Sequence, residues 1–229
     1  MGREIGTPVA EGVGRIAGFV NAYVVRDDSG ILLVDTTMSR RATPVVRAFA
    51  AANVPLSSVA VIVLTHQHLD HVGGAASLAE VTKARVACHG SDAPVIVGMV
   101  SAKIPALLRP FVRVRPVQVD SLLQDEQSIG GFRVVFAPGH TAGEIALYQP
   151  ARRWLFSGDS VIERKGRLAL PSARVASDPR QAVSSLAILR RLEIETLFPG
   201  HGVPVSHDVQ GQLNDLFDKP PEEYTRSAQ

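Results

Sequence analysis

The chain has 229 residues, a formal net charge of +2, one cysteine and 45% hydrophobic residues. That length can bury one sizeable core, and so small a charge, without blocks of like sign, gives no electrostatic footprint for nucleic acid. Cys88 being the only cysteine excludes an internal disulfide, and Met1–Gly14 lacks the basic-then-apolar pattern of a secretory signal, so a cytoplasmic protein is expected.

In chain order, Phe19–Arg26 and Ile31–Asp35 read as strands around the turn Asp27-Asp28-Ser29-Gly30. Thr43-Pro44 predicts an N-cap followed by proline at the first helical position, opening a helix to about Ala52. Val59–Leu64 is a strand-like apolar run, Val72–Ala79 a short helix beginning at the glycine pair, and Arg85–Cys88 a short strand. Asp92–Leu108 is apolar on nearly every side, but Lys103 and Pro105 interrupt it, and it is too short for the roughly 20 apolar residues of a membrane span. A buried core helix, a lid over an apolar substrate channel and a subunit interface all fit this segment. Phe132–Ala137, Trp154–Phe156 and Thr196–Phe198 read as strands. Ser177 and Pro179 introduce a helix to about Leu192, with Ala182, Leu186, Leu189 and Val183 on one side. Without a repeat or linker, a single domain over residues 1–217 is expected, followed by a mobile tail over 218–229.

The chemistry concentrates at the junctions. Thr65-His66-Gln67-His68-Leu69-Asp70-His71 packs three of the chain's seven histidines and an aspartate into six positions. At the end of a strand, side chains two apart share a face, so His66 and His68 leave on one side, and a turn swings Asp70 and His71 toward a neighbouring point. Imidazole and carboxylate suit zinc, and also iron or manganese. Further candidates follow strand-like runs, each with a glycine immediately before it: His140 in Pro138-Gly139-His140, Asp159 in Gly158-Asp159 and His201 in Pro199-Gly200-His201. Four strand ends thus carry seven ligand-type side chains. The remaining candidates have plainer readings. His89, ahead of Ser91-Asp92, fits a polar loop or helix cap, His207 the start of the last helix, Cys88 a small buried hydrophobe, and Arg109, Arg113 and Arg115 a solvated stripe.

These motifs, in this order from Asn21–Asp35 through Pro199-Gly200-His201, resemble the metallo-β-lactamase-fold hydrolases, and within them the glyoxalase II-like branch. The resemblance implies an α/β fold, a four-layered αββα sandwich. It implies that His66, His68 and His140 hold one metal, that Asp70, His71 and His201 hold a second, and that Asp159 bridges them. Asp159 sets the chain apart from true β-lactamases, which lack a bridging aspartate there. A chain ending soon after His201 is expected to lack the helical glutathione-binding domain of a full glyoxalase II. Asp70 is further implied as a catalytic residue that orients the attacking hydroxide, and Asp35 as a carboxylate orienting a histidine.

Two cations sharing a water lower its pKa and present hydroxide as the nucleophile. The expected function is therefore dinuclear hydrolysis of a thioester, lactone or related ester, with two divalent ions, zinc foremost and iron or manganese compatible. Its rivals are a mononuclear iron persulfide dioxygenase, a phosphodiesterase or nuclease, and a non-catalytic metal-binding protein of the same fold. The expected partner is a small-molecule substrate bearing an apolar group, with no nucleic acid, no membrane span, and a homodimer allowed.

Overall fold

The computed structural model describes residues 4–27, 30–100 and 115–225. The turn residues Asp28 and Ser29, positions 101–108 of the apolar segment, Arg109, Arg113 and the last four residues of the expected tail lie outside the described residues. The chain divides into two compact units, Met1–Leu122 and Leu123–Gln229.

The first unit is built on a seven-stranded sheet whose strands follow one another in chain order. They are β1 (Thr7–Ala10), β2 (Val13–Ile16), β3 (Ala22–Asp27), β4 (Gly30–Val34), β5 (Val59–Val63), β6 (Arg85–His89) and, at the unit's end, β7 (Ser121–Leu123). Tight connections make β1 through β4 antiparallel, whereas β4, β5 and β6 run parallel, because helical crossovers separate them. These crossovers are α1 (Thr43–Ala52) and the pair α2 (Leu69–Val72) and α3 (Ala75–Thr82). The registers Val34↔Val63 and Val63↔Ala87 bring the carboxyl ends of the three parallel strands level. The edge strand β1 is mostly exposed, contains Pro8, and carries a register shift between Pro8 and Ala10.

Two helix starts differ from expectation. Thr43 is the first residue of α1 rather than its cap; Ala42 holds the cap position in the left-handed region, and the Thr43 amide donates to Ser39 Oγ. The expected helix across Gly73-Gly74 is two helices, so Asp70 and His71 sit on the single turn of α2 instead of in an open turn. On α1, Val45, Phe49 and Ala52 are buried at the 3.6-residue period, and each large apolar side chain so buried contributes about 1.5–3 kcal/mol. In the apolar segment, α4 (Ala93–Ile96) buries Ala93 and Ile96 in the core, while Met99 and Val100 are exposed.

The second unit holds a five-stranded sheet in the order β14-β11-β10-β9-β8. Its strands are β8 (Ser128–Ile129), β9 (Phe132–Phe136), β10 (Ile145–Gln149), β11 (Trp154–Gly158) and β14 (Thr196–Pro199), and a separate hairpin pairs β12 (Ile162–Arg164) with β13 (Arg167–Ala169). β11 and β14 are parallel, joined by a crossover containing α5 (Pro179–Leu189). Phe156 and Phe198 are neighbours in that register, and their rings stack at 4.5 Å between centroids. α5 starts from Asp178, whose carboxylate accepts from the Gln181 amide at 2.9 Å, and ends at Leu189, three residues before the expected stop.

α6 (Val209–Asp218) is followed by α7 (Glu222–Thr225), where Tyr224 is 1% exposed and donates its hydroxyl to Pro171 O at 2.6 Å. An aromatic ring with one polar atom is worth ordering when both its apolar body and its hydroxyl find partners. No helix among the described residues is long and apolar enough to cross a membrane.

Candidate functional site

In the first unit, every candidate ligand lies just beyond the carboxyl end of β5. Asp35, one residue past β4, organises them. Its Oδ1 accepts from the Thr65 amide and its Oδ2 from Thr65 Oγ1, each at 2.9 Å, and Oδ2 lies 2.8 Å from His71 Nδ1. An ionised carboxylate only accepts, so the His71 proton sits on Nδ1 and Nε2 presents a lone pair. The same logic runs one step further. Thr65 spends its single hydroxyl proton on Asp35, so its oxygen can only accept from His66 Nδ1, 3.1 Å away, which leaves His66 Nε2 as the donor atom toward a cation. One buried aspartate thereby sets the tautomers of two histidines.

The rings of His66 and His68 lie 4.8 Å apart, those of His66 and His71 4.1 Å, and Asp70 Oδ2 is 3.8 Å from His71 Nε2. His66 and His71 are fully buried, and His68 and Asp70 are partly exposed. The α2 turn is fastened from beneath by Thr36, which takes His71 O with both its amide, at 2.8 Å, and its hydroxyl, at 2.7 Å. Asp35 and Thr37 on either side both have positive φ, +59° and +67°, a conformation costing about 1–3 kcal/mol in a non-glycine residue and found where the surroundings enforce it.

The second unit gathers His140, Asp159 and His201. Parallel pairing of β11 with β14 ends both strands at one level, and the Gly200 amide donates to Gly158 O at 2.8 Å. Asp159 and His201 therefore emerge side by side, with Asp159 Oδ2 3.3 Å from His201 Nε2. His140 Nε2 approaches the same oxygen at 3.5 Å. The glycines that shape these corners are only in part those expected. Gly139 (φ +134°) passes so close to the backbone of Ala182 on α5 that no Cβ fits, and Gly158 has φ +53°. At His201 the demanding position is Gly202 after it (φ +96°), pressed against Glu163 of β12.

Two carboxylates that sequence reasoning left aside brace these corners. Glu144, fully buried, accepts from the Asp159 amide at 2.9 Å, and its carbonyl accepts from the Ala137 amide at 3.0 Å, tying together the His140 and Asp159 loops. Glu163 donates its amide to His201 O at 2.9 Å and accepts from the Val203 amide at 2.8 Å, bracketing His201. Their only sequence signal is an acid within four residues of a ligand. Of the residues given plainer readings, His89 ends β6 rather than lying in a loop and accepts from the Ser91 amide at its ring, Arg115 pairs with Glu80, and Cys88 is buried. Burial first, and Asp92 second, push the Cys88 thiol up to about 12.

Each unit thus presents a cluster of nitrogen and oxygen donors suited to a divalent cation. Carboxyl ends of strands bearing such clusters define a metal-binding α/β protein. The chain belongs to the metallo-beta-lactamase superfamily, whose family model matches residues 15–201. It is similar to the probable metallo-hydrolase YflN of Bacillus subtilis (strain 168), 26% identical over 93% of either chain. It is also similar to the hydroxyacylglutathione hydrolase of Pseudomonas aeruginosa (strain LESB58), 34% identical over 77% of this chain and 62% of that one. The chain spans less than two thirds of the length of that second relative. In fold it is similar to a metallo-beta-lactamase family protein from Thermus thermophilus, with TM-score 0.76 and 22% identity over 92% of this chain and 80% of that chain.

Proposed function

We propose that the two clusters act together as one dinuclear centre, with His66, His68 and His140 on one divalent ion, Asp70, His71 and His201 on the other, and Asp159 between them. The protein then hydrolyses a thioester, lactone or related ester of a small molecule. The observation that carries this reading is that all seven ligand-type side chains gather in clusters beyond the carboxyl ends of strands, and that Asp35 and Thr65 set His66 and His71 to offer Nε2. A bound pair of divalent ions, most simply zinc, supplies an acidified water and polarises a carbonyl. The chain's own residues do the rest. Asp70, partly exposed beside the buried His71, accepts a hydrogen bond from the attacking water and orients it. Asp159 keeps the His140 and His201 nitrogens at a common distance from one carboxylate oxygen. No serine or cysteine nucleophile is required, and Cys88 is too buried and too weakly acidic to serve as one. The hydroxyacylglutathione hydrolase relative favours a thioester among the ester-like substrates.

The test combines metal analysis with substrate assays on zinc-, manganese- and iron-loaded protein, using thioesters, lactones, phosphodiesters and β-lactams. About two ions per chain are expected in wild type, with thioester or lactone cleavage by the zinc or manganese form, and His201→Ala should empty mainly the second position. One ion in fully loaded protein sinks the dinuclear reading. Rapid oxygen uptake with a persulfide on iron-loaded protein, with no ester cleaved by the zinc form, replaces the hydrolase with a dioxygenase.

A further inference from the structure

Asp92 lies outside the seven-residue ligand set, yet its placement is hard to explain by its own helix. It follows β6 and occupies the N-cap of α4, where an aspartate ordinarily turns its carboxylate onto the first amides of its helix. Here it makes no side-chain cap bond. The carboxylate turns away instead, and Oδ2 accepts at 2.9 Å from the amide of Gln67, 25 residues earlier and between His66 and His68. Asp92 is fully buried, and a carboxylate taken out of water is costly unless strong donors receive it. Its backbone is pinned on both sides. The Asp92 amide donates to His89 O at 3.1 Å, its carbonyl accepts from Val95 and Ile96 at 3.2 and 3.3 Å, and the Ile96 side chain is wholly in the core.

Gln67 N–H belongs to the peptide plane that joins His66 to Gln67. Holding that amide fixes the rotation of the plane, and with it the angle at which the imidazoles of His66 and His68 leave the chain. Asp35 and Thr65 set which nitrogen of His66 is offered, but neither bonds to Gln67 or His68 in this way. We propose that Asp92 is a positioning residue of the metal centre, whose carboxylate holds the Gln67 amide and so fixes the spacing of His66 and His68 for the first metal. The proposal rests on the dinuclear reading above.

The test uses full-length wild type, Asp92→Asn and Asp92→Ala. Cobalt binding is followed by its visible absorption, hydrogen exchange is read at the Gln67 amide, and melting is measured in chelator. Asparagine keeps an oxygen that can accept from Gln67, and alanine does not. Expected for Asp92→Ala are a first cobalt bound about 10–100-fold more weakly, faster exchange at Gln67 and a chelator melting temperature close to that of Asp92→Asn. Asp92→Asn should stay within about threefold of wild-type affinity. Wild-type cobalt affinity in Asp92→Ala overturns the proposal, as does equal weakening in both variants, which would assign the effect to charge. Wild type that takes up no cobalt, with a protected Gln67 amide, overturns the metal reading itself and this proposal with it.

Discussion

Asp35 shows how much of the candidate site depends on one atom's proton inventory. Both its oxygens are committed, to Thr65 and to His71 Nδ1. In Asp35→Asn one oxygen becomes an amide group that donates where His71 needs an acceptor. His71 then takes the opposite tautomer and points a proton, not a lone pair, toward the metal position. The expected outcome is folded protein with metal affinity reduced by about 10–100-fold, measured by metal titration alongside nitrogen-resolved NMR of the histidine tautomers. His71→Ala should cut turnover at least tenfold, about 1.4 kcal/mol of barrier, as read from steady-state rates of the metal-loaded enzyme. The seven ligand-type residues were legible because spacing alone gathers His66 through His71, and strand-then-glycine signals mark the other three. Thr36, Glu144 and Asp92 were not. Their partners lie 35, 15 and 25 residues away, and a hydrogen bond across such distances leaves no periodicity to read.

Among the elements, apolar runs such as those of β9, β11 and β14 were read almost to the residue, whereas β1, β2, β7, β8, β10, β12 and β13 went unread and β3 begins at Ala22 rather than Phe19. β9, β11 and β14 begin where expected and run no more than two residues off their expected ends. Helix ends were read less well. Thr43 and Ser177 carry side chains that suit a cap, but Ala42 and Asp178 hold the cap positions, because the incoming loop and not propensity fixes where the first turn closes. The contact between Gly139 and α5 makes a sharp prediction. Gly139→Ala drives a methyl into Ala182 in a backbone conformation only glycine adopts easily, and should lower stability by about 1–3 kcal/mol, measured by urea unfolding. α7 supplies another. Tyr224→Phe loses the bond to Pro171 O and should cost about 1 kcal/mol. Removing residues from Lys219 onward also exposes part of the α5 and α6 surface, and should cost more than Tyr224→Phe in the same experiment. Equal stability of the shortened and full-length proteins would instead support the mobile tail expected over residues 218–229.

At the scale of the whole molecule, two separate apolar clusters, one in each unit, carry the stability, and each contains groups that resist ionisation. Burial raises the Cys88 thiol from its ordinary 9.0 to about 12, and raises Tyr23 and Tyr224 as well. An unfolded chain releases the Cys88 proton above about pH 9 while the folded one keeps it, so the unfolded state binds fewer protons and stability falls as pH rises. The contribution is fully present below pH 9.0 and is lost progressively toward about 12. Melting temperature should accordingly decline steadily through this window, and Cys88→Ala should flatten its lower part; an unchanged melting temperature from pH 8 to pH 11 would contradict the assignment. The alternation of strands and helices was legible as compatible with an α/β architecture, while the αββα sandwich itself was implied by the resemblance of the motifs. The division into two compact units was not, because no change of composition marks residue 122. The sheet of the first unit begins with β1, whose outer row of backbone groups has no neighbouring strand among the described residues. Pro8 removes a donor from that strand, and the shift in register beside it breaks the regular ladder. An intruding extended segment meets an interrupted template, so this edge of the sheet disfavours growth into fibrils or edge-to-edge chaining of copies. Pro8→Thr would restore the template, and its consequence belongs to shelf life rather than catalysis: turbidity should develop sooner in concentrated solutions of that variant, with turnover untouched.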